Sequence, residues 1–147
     1  MVRYCWRPGY NVIVFASGVS NSKETNSNEF KREKNMITSH INKKVKFIYF
    51  STCSILDPTL QNSPYIIHKK DIEKYINKNF SDNIIFRLPN VIGTCKNPNT
   101  SFNYFKKRIK GNIPITIDEY ATRYFFDSDD LSLLLPYFIE KDVDKNV

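Results

Sequence analysis

Three short, unbroken apolar runs separated by longer segments of helical periodicity constrain the fold of this chain most. The runs lie at 11–15, 45–50 and 83–88, and none shows the polar alternation of a half-exposed strand. Strands of this kind are buried on both faces, which is typical of a parallel sheet. The segments between them predict helices at about 28–42 and 64–78. Strands that alternate with helices of this length predict an α/β fold with right-handed crossovers.

Each predicted helix carries an apolar stripe that would face the sheet. The stripes consist of Phe30, Ile37 and Ile41 in the first helix and of Ile72, Tyr75 and Ile76 in the second. Glu29 and Glu33 stand in the opening turns of the first helix. Beyond Gly93 the pattern predicts a helix at about 101–110 and a short strand at 113–117. In the apolar segment 131–139, Pro136 is expected to end or kink a helix.

Tyr65 and Lys69 are four residues apart and would share one face of the second helix. Ser63 and Pro64 read as its N-cap and first helical residue, which places Tyr65 in the first turn. A neighbouring ammonium group and the positive end of the helix dipole both favour a phenolate. We therefore expect the pKa of Tyr65 to be lowered toward a value that suits proton transfer.

Thr52 lies in a small polar segment at the carboxyl end of the predicted strand 45–50. Open α/β sheets bind their ligands beyond the carboxyl ends of the strands. The hydroxyl of Thr52 and the Tyr65–Lys69 pair therefore come in the order that an oxidoreductase active site needs. Tyr-x-x-x-Lys alone also occurs by chance in many helices, in which case both residues would be ordinary surface residues.

Four segments together resemble the extended short-chain dehydrogenase/reductase family, which contains nucleotide-sugar epimerases and dehydratases. They are Phe15-Ala16-Ser17-Gly18, Phe50-Ser51-Thr52, Ser63 through Lys69, and Arg87-Leu88-Pro89-Asn90-Val91-Ile92-Gly93. A weaker fifth segment runs from Arg123 to Asp130 and is similar to the family's arginine, hydrophobic strand and aspartate pair. The segments follow the family order and span about residues 11–135. The resemblance therefore covers most of the chain.

The resemblance implies a role for each matching residue. Tyr65 would exchange a proton with a substrate hydroxyl, Lys69 would lower its pKa and bind the nicotinamide ribose, and Thr52 would hydrogen-bond the reacting oxygen. Tyr65 and Lys69 are also implied to bind the cofactor. The remaining implied residues are Phe15, Ala16, Ser17 and Pro89 against the cofactor, and Asn90 and Arg123 against the substrate's diphosphate. Arginine suits a phosphate because of its fixed donor fork. The cofactor implied is NAD or NADP, and the substrate a nucleotide sugar.

The family's glycine-rich turn, which receives the cofactor pyrophosphate, has no counterpart here. The four glycines, at positions 9, 18, 93 and 111, form no cluster. The strand at 11–15 would then correspond to the family's fourth strand. We therefore expect one truncated Rossmann-like domain over 1–147, with a sheet core at about 11–93 and a substrate-side segment at about 94–147. The residue that would distinguish NAD from NADP belongs to the missing part.

Departures from the family pattern narrow the implied reaction. Family members that eliminate water carry an Asp-Glu pair directly after the catalytic hydroxyl residue, and here Cys53 and Ser54 occupy those positions. Dehydration is therefore disfavoured, which leaves epimerisation or keto-sugar reduction. The alternative is a catalytically inactive homologue that acts as a binding or assembly subunit. Loss of the first βαβ unit would leave the strand at Val12 with an unpaired edge, so we expect a homo-oligomer or a marginally stable monomer.

Composition and charge limit the partners and the cellular location that the sequence allows. The net charge of +7 favours an anionic partner, but the basic residues are dispersed, which disfavours nucleic acid. No apolar run approaches the ~18 residues of a membrane span, and no secretory signal is evident. Three widely spaced cysteines suit neither a disulfide framework nor a metal site. These features predict a cytoplasmic protein.

Overall fold

The computed structural model describes residues 2–3, 11–41, 44–93, 100–117, 119–120 and 122–140. The chain forms two compact units that divide between Arg87 and Leu88. They are called the N-terminal and the C-terminal unit below.

The N-terminal unit contains a four-stranded sheet and two helices, which confirms the predicted α/β fold. The elements are β1 (Val2–Arg3), β2 (Val12–Phe15), α1 (Ser27–Thr38), β3 (Lys46–Thr52), α2 (Pro64–Asn79) and β4 (Asn83–Leu88). The strand order is β1-β2-β3-β4. Strands β2 and β3 are parallel, with Val12 opposite Lys46 and Phe15 opposite Tyr49. Two short 3₁₀ turns, Cys53–Leu56 and Pro58–Leu60, connect β3 to α2.

The expectation of an unpaired edge at β2 is wrong for the carboxyl half of the strand. Strand β1 pairs antiparallel with β2, with Val2 opposite Phe15 and Arg3 opposite Val14. The described residues of β1 do not reach Val12 or Ile13. The predicted homo-oligomer therefore loses part of this argument and stays a prediction.

A large apolar cluster packs the sheet against both helices. Its buried members are Ile13, Phe15, Ile37, Phe47, Tyr49, Ile72, Ile76, Phe80 and Ile85. The rings of Phe47 and Phe80 stack with their centroids 4.2 Å apart. Burying each such side chain contributes roughly 1.5–3 kcal/mol relative to exposure. The inward stripe predicted for α2 is confirmed, because Ile72 and Ile76 are fully buried and Tyr75 packs against the cluster.

The C-terminal unit contains a two-stranded parallel sheet and two helices. Its elements are β5 (Asn90–Ile92), α3 (Ser101–Lys110), β6 (Phe125–Asp127) and α4 (Ser128–Glu140). The prediction of a strand at 113–117 is wrong, because those residues form no ladder. Helix α4 does not end at Pro136 but continues to Glu140. Among the described residues, no helix combines the length and apolar character needed to cross a bilayer.

Candidate active site

The site begins where β3 ends. Thr52 is the last residue of β3, and its side chain caps the following 3₁₀ turn by accepting from the backbone N–H of Ser54 at 3.1 Å. The Thr52 hydroxyl also hydrogen-bonds the phenol of Tyr65. One residue at the carboxyl end of a strand is thereby joined to the first turn of α2.

Helix α2 begins as the sequence predicts. The Ser63 hydroxyl accepts from the backbone N–H of Ile66 at 3.3 Å, and Pro64 is the first helical residue. Tyr65 and Lys69 both lie on the buried face of the helix. The Lys69 Nζ atom is 5.7 Å from the centroid of the Tyr65 ring. The structure thus brings Thr52, Tyr65 and Lys69 together.

The Lys69 ammonium group forms hydrogen bonds with two buried protein groups. Its Nζ atom donates to Glu33 Oε1 at 3.0 Å and to the Tyr49 hydroxyl at 2.8 Å. The ammonium group also lies 5.0 Å from the centroid of the Tyr49 ring. Only 2% of the Lys69 side chain is exposed. In this arrangement its ammonium is committed to protein acceptors rather than turned toward a ligand.

Glu33 is the centre of this network, although it lies on the other helix. Its Oε1 accepts from the Tyr49 hydroxyl at 2.6 Å as well as from Lys69, and its Oε2 accepts from the Val19 N–H at 2.8 Å. His68 Nε2 lies 2.9 Å from the same Oε2. Burial raises the pKa of Glu33, but the His68 hydrogen bond, the Lys69 charge and the Tyr49 and Val19 hydrogen bonds outweigh it, giving about 2.

The expected lowering of the Tyr65 pKa is wrong. Burial of the phenol and then the negative charge of Glu33 raise the pKa of Tyr65 to about 12, against which the Thr52 hydrogen bond acts. The physical reason is that burial disfavours the charged phenolate and that the carboxylate of Glu33 places a negative charge nearby. Tyr65 is therefore protonated throughout the neutral range.

Of the predicted cofactor-lining residues, Phe15 is turned into the core. It is 1% exposed, and its ring lies 6.1 Å from that of Tyr49. Ala16 is exposed and Ser17 half-buried, so both are accessible to a ligand. An NAD-type group therefore fits these residues incompletely, because two of the three Lys69 donors are occupied by Glu33 and Tyr49 and the sequence has no glycine-rich turn.

The other predicted residues belong to the C-terminal unit. Asn90 donates through Nδ2 to the Tyr124 carbonyl at 3.3 Å and accepts from Ser101 Oγ at 3.0 Å, so both ends of its amide have protein partners. Arg123 is exposed and precedes β6 by two residues, while Pro89 is half-buried between β4 and β5.

Sequence reasoning missed Glu33 and Tyr49 as members of this constellation. A signal for Glu33 was present, because it falls three residues after Phe30 and four before Ile37, within the apolar stripe. An acidic residue on a buried helical stripe requires a partner on a neighbouring element. Nothing in the sequence marks Tyr49, which reads as one apolar member of a strand.

Comparisons with known proteins support the fold. No protein-family model matches the sequence, and a search of curated protein sequences finds no match. Among solved structures, UDP-glucuronic acid 4-epimerase from Bacillus cereus, in complex with UDP-glucuronic acid and NAD, is similar with a TM-score of 0.69 at 21% identity. The match covers 93% of this chain and 53% of that chain.

Two further structures are similar at lower scores. UDP-N-acetylglucosamine 4-epimerase from Methanobrevibacter ruminantium M1 has a TM-score of 0.59 at 17% identity, over 83% of this chain and 46% of its own. The capsular polysaccharide assembling protein CapF from Staphylococcus aureus has a TM-score of 0.53 at 20% identity, over 84% and 36%. The chain thus spans about half or less of each structure that it resembles. At these identities the likeness shows a partial Rossmann-like fold.

Proposed function

We propose that this chain carries the acid/base residues of an NAD(P)-dependent nucleotide-sugar epimerase or keto-sugar reductase. The observation that supports this most is the meeting of Thr52, Tyr65 and Lys69 at the carboxyl end of β3, where an open α/β sheet binds its ligand. Two of the similar structures are UDP-sugar 4-epimerases, and their matches cover 93% and 83% of this chain.

The chemistry follows from the charge state of the site. Tyr65 is protonated at neutral pH, so it is ready to donate a proton to a sugar carbonyl oxygen as that carbonyl is reduced. Thr52, which hydrogen-bonds the phenol, would hold the same oxygen. The nicotinamide cofactor supplies the hydride when it is bound. The protonation state of Tyr65 suits the reduction step, which both a keto-sugar reductase and an epimerase carry out.

The remaining site residues belong to the same proposal. Ala16, Ser17 and Pro89 would lie against the cofactor, and Asn90 and Arg123 would contact the diphosphate of the nucleotide sugar. Since the sequence contains no glycine-rich turn, the pyrophosphate would be received by another chain or by further sequence. A cytoplasmic homo-oligomer is part of this proposal, and sedimentation of the purified chain tests the oligomer.

Calorimetric titration with NADH, alone and with UDP-sugars, followed by turnover assays, tests the proposal. We expect Tyr65→Phe to lower turnover at least about 100-fold with a smaller effect on cofactor binding, since phenylalanine keeps the ring and lacks the proton donor. Tyr75→Phe is the matched control, because Tyr75 lies on the same helix and its hydroxyl bonds Thr38 at 2.9 Å. Unaltered turnover in Tyr65→Phe would remove Tyr65 from the mechanism.

A second candidate is an inactive homologue that acts as a binding or assembly subunit. The observation that favours it is the commitment of the Lys69 ammonium to Glu33 and Tyr49, together with burial of Tyr65. Absence of NADH binding and of turnover in the wild-type chain would support this candidate. Robust turnover by the isolated chain would exclude it.

A further inference from the structure

We infer that Glu33 is a positioning residue of this site, whose buried carboxylate fixes both the place and the charge of Lys69 beside Tyr65. The contacts that carry this inference join α1, β3 and α2, three elements that are distant in sequence. Its consequence for proton transfer at Tyr65 rests on the proposed function. Its consequence for Lys69 does not.

The carboxylate of Glu33 is fully satisfied. Each of its two oxygens has two partners, Tyr49 and Lys69 on Oε1 and Val19 and His68 on Oε2. The residue is 0% exposed, so no hydrogen bond to bulk water contributes. A buried carboxylate with four partners has one position and one charge state.

Within the described part of the chain, no anion other than Glu33 contacts the Lys69 ammonium. A lysine side chain is long and flexible, and a buried ammonium group without an anion tends to lose its proton. Glu73 also acts on Lys69 through its charge, but its carboxylate is held by Arg87 through two hydrogen bonds of 3.1 and 2.8 Å. The remaining groups that face Lys69 are Tyr49 and Tyr65, which carry no charge at neutral pH.

The surroundings keep the pair in place. A Cβ atom at Gly18 would lie 2.7 Å from Glu33 Oε1 and 3.0 Å from Lys69 Nζ, so the backbone passes directly against the ion pair. On the other side, the His68 ring stacks on Phe30 at 4.5 Å between centroids and covers Oε2. Burial lowers the pKa of Lys69, and the charge of Glu33 and its hydrogen bond raise it, so the carboxylate opposes loss of the proton.

The experiment is an NMR titration of the Lys69 side chain, assigned with Lys69→Arg, in the full chain and its variants. In Glu33→Gln we expect proton binding by Lys69 to weaken at least about tenfold, because the ammonium loses the one anion that contacts it among the described residues. Glu33→Asp should weaken it less. Glu29→Gln is the matched control on the same helix, since Glu29 pairs with Arg32 at the surface, and it should leave Lys69 unchanged. An unchanged titration in folded Glu33→Gln overturns the inference.

A second comparison covers the case in which Glu33→Gln does not fold. The double variant Glu33→Gln/Lys69→Met removes the stranded ammonium together with its partner, so we expect it to resist urea better than Glu33→Gln alone. A double variant no more stable than Glu33→Gln overturns the inference.

These readouts need neither cofactor nor substrate, so they separate the two proposals. If the wild-type chain shows no turnover, the proposed function is excluded. The Lys69 titration then still tests whether Glu33 holds the position and charge of Lys69. If the wild type does turn over, Glu33→Gln should shift the pH profile of kcat with KM little changed. A pH profile that stays the same would contradict the role at Tyr65.

Discussion

The two units of this protein differ in what they do with their apolar residues. The N-terminal unit encloses nine of them in one cluster across β2, β3, β4 and both helices. In the described part of the C-terminal unit, Leu135 is the one large apolar side chain that is buried. The exposed ones there include Phe102, Tyr104, Phe105, Ile109, Ile113, Ile117, Tyr120, Tyr124, Phe125, Leu133, Leu134 and Tyr137.

This difference illustrates that a sequence pattern typical of a helix does not by itself make the unit that contains the helix stable. Helix α3 has a good N-cap and α4 an apolar composition, so both satisfy local rules for a helix. Most of the free energy of folding, however, comes from surface removed from water, and a capped helix with exposed apolar groups gains little of it. We therefore expect the N-terminal unit to be the more stable of the two.

Truncation of a core aromatic residue should have the largest effect. Phe47 is 0% exposed and stacks on Phe80, so Phe47→Ala should destabilise the N-terminal unit by about 3–5 kcal/mol through lost burial and a residual cavity. Leu133→Ala in α4 is the counterpart, and at 78% exposure it should change stability by less than about 0.5 kcal/mol. Urea unfolding followed by residue-resolved hydrogen exchange measures both. Similar losses in the two variants would mean that Leu133 is covered in solution.

The N-terminal fold could be predicted because its local signals agree with its tertiary contacts. Each apolar run became a strand within two residues of its predicted ends, since a run buried on both faces has no competing structure. At 113–117 the local signal misled, because a strand needs a neighbour and Pro114 lacks a donor for a ladder. Nothing in the sequence states whether a neighbouring strand exists.

Acid should weaken the N-terminal unit through Glu33. The pKa of this residue falls from an ordinary 4.5 to about 2 in the folded state, so its ionisation stabilises the fold fully above about pH 5. That contribution, on the order of 3 kcal/mol, is lost progressively as the pH falls toward 2. Stability measured from pH 6 to pH 2 should drop less steeply in Glu33→Gln than in the wild type. Parallel curves would show that Glu33 ionises equally well in the unfolded chain.

Only the local part of the site could be predicted from the sequence, because the rest depends on contacts between residues that are distant in the chain. Tyr65 and Lys69 lie four residues apart, so local geometry alone places them together. Glu33 contacts Lys69 across 36 residues of chain, which local geometry does not reveal. The predicted direction of the Tyr65 pKa shift was wrong because burial of the phenol and the negative charge of Glu33 both depend on tertiary contacts.

Two glycine-to-alanine substitutions, one in each unit, compare how tightly the two units are packed. A methyl group at Gly18 would press on the Glu33–Lys69 pair, so Gly18→Ala should cost about 1–3 kcal/mol in the N-terminal unit. Gly111 ends α3 at φ −92°, which alanine tolerates, and a Cβ there would approach Ile113 and the Lys107 carbonyl at 3.2 Å. Gly111→Ala should therefore change stability by less than about 1 kcal/mol. Thermal unfolding followed by circular dichroism distinguishes the two, and equal losses would contradict a tightly packed ion pair.

Matched N-caps give the smallest effect and the most direct comparison of the units. The Ser63 hydroxyl accepts from the Ile66 N–H in α2, and the Thr100 hydroxyl accepts from the Asn103 N–H at 3.2 Å in α3. Replacing either by alanine removes one capping bond, worth about 1 kcal/mol. Because α2 is packed into the core, Ser63→Ala should lower the free energy of global unfolding by that amount. Thr100→Ala should speed hydrogen exchange within α3 while leaving exchange in β2 and β3 unchanged. If Thr100→Ala lowers protection in β2 and β3 as much as Ser63→Ala does, the two units unfold as one, and the contrast in their burial has no thermodynamic counterpart.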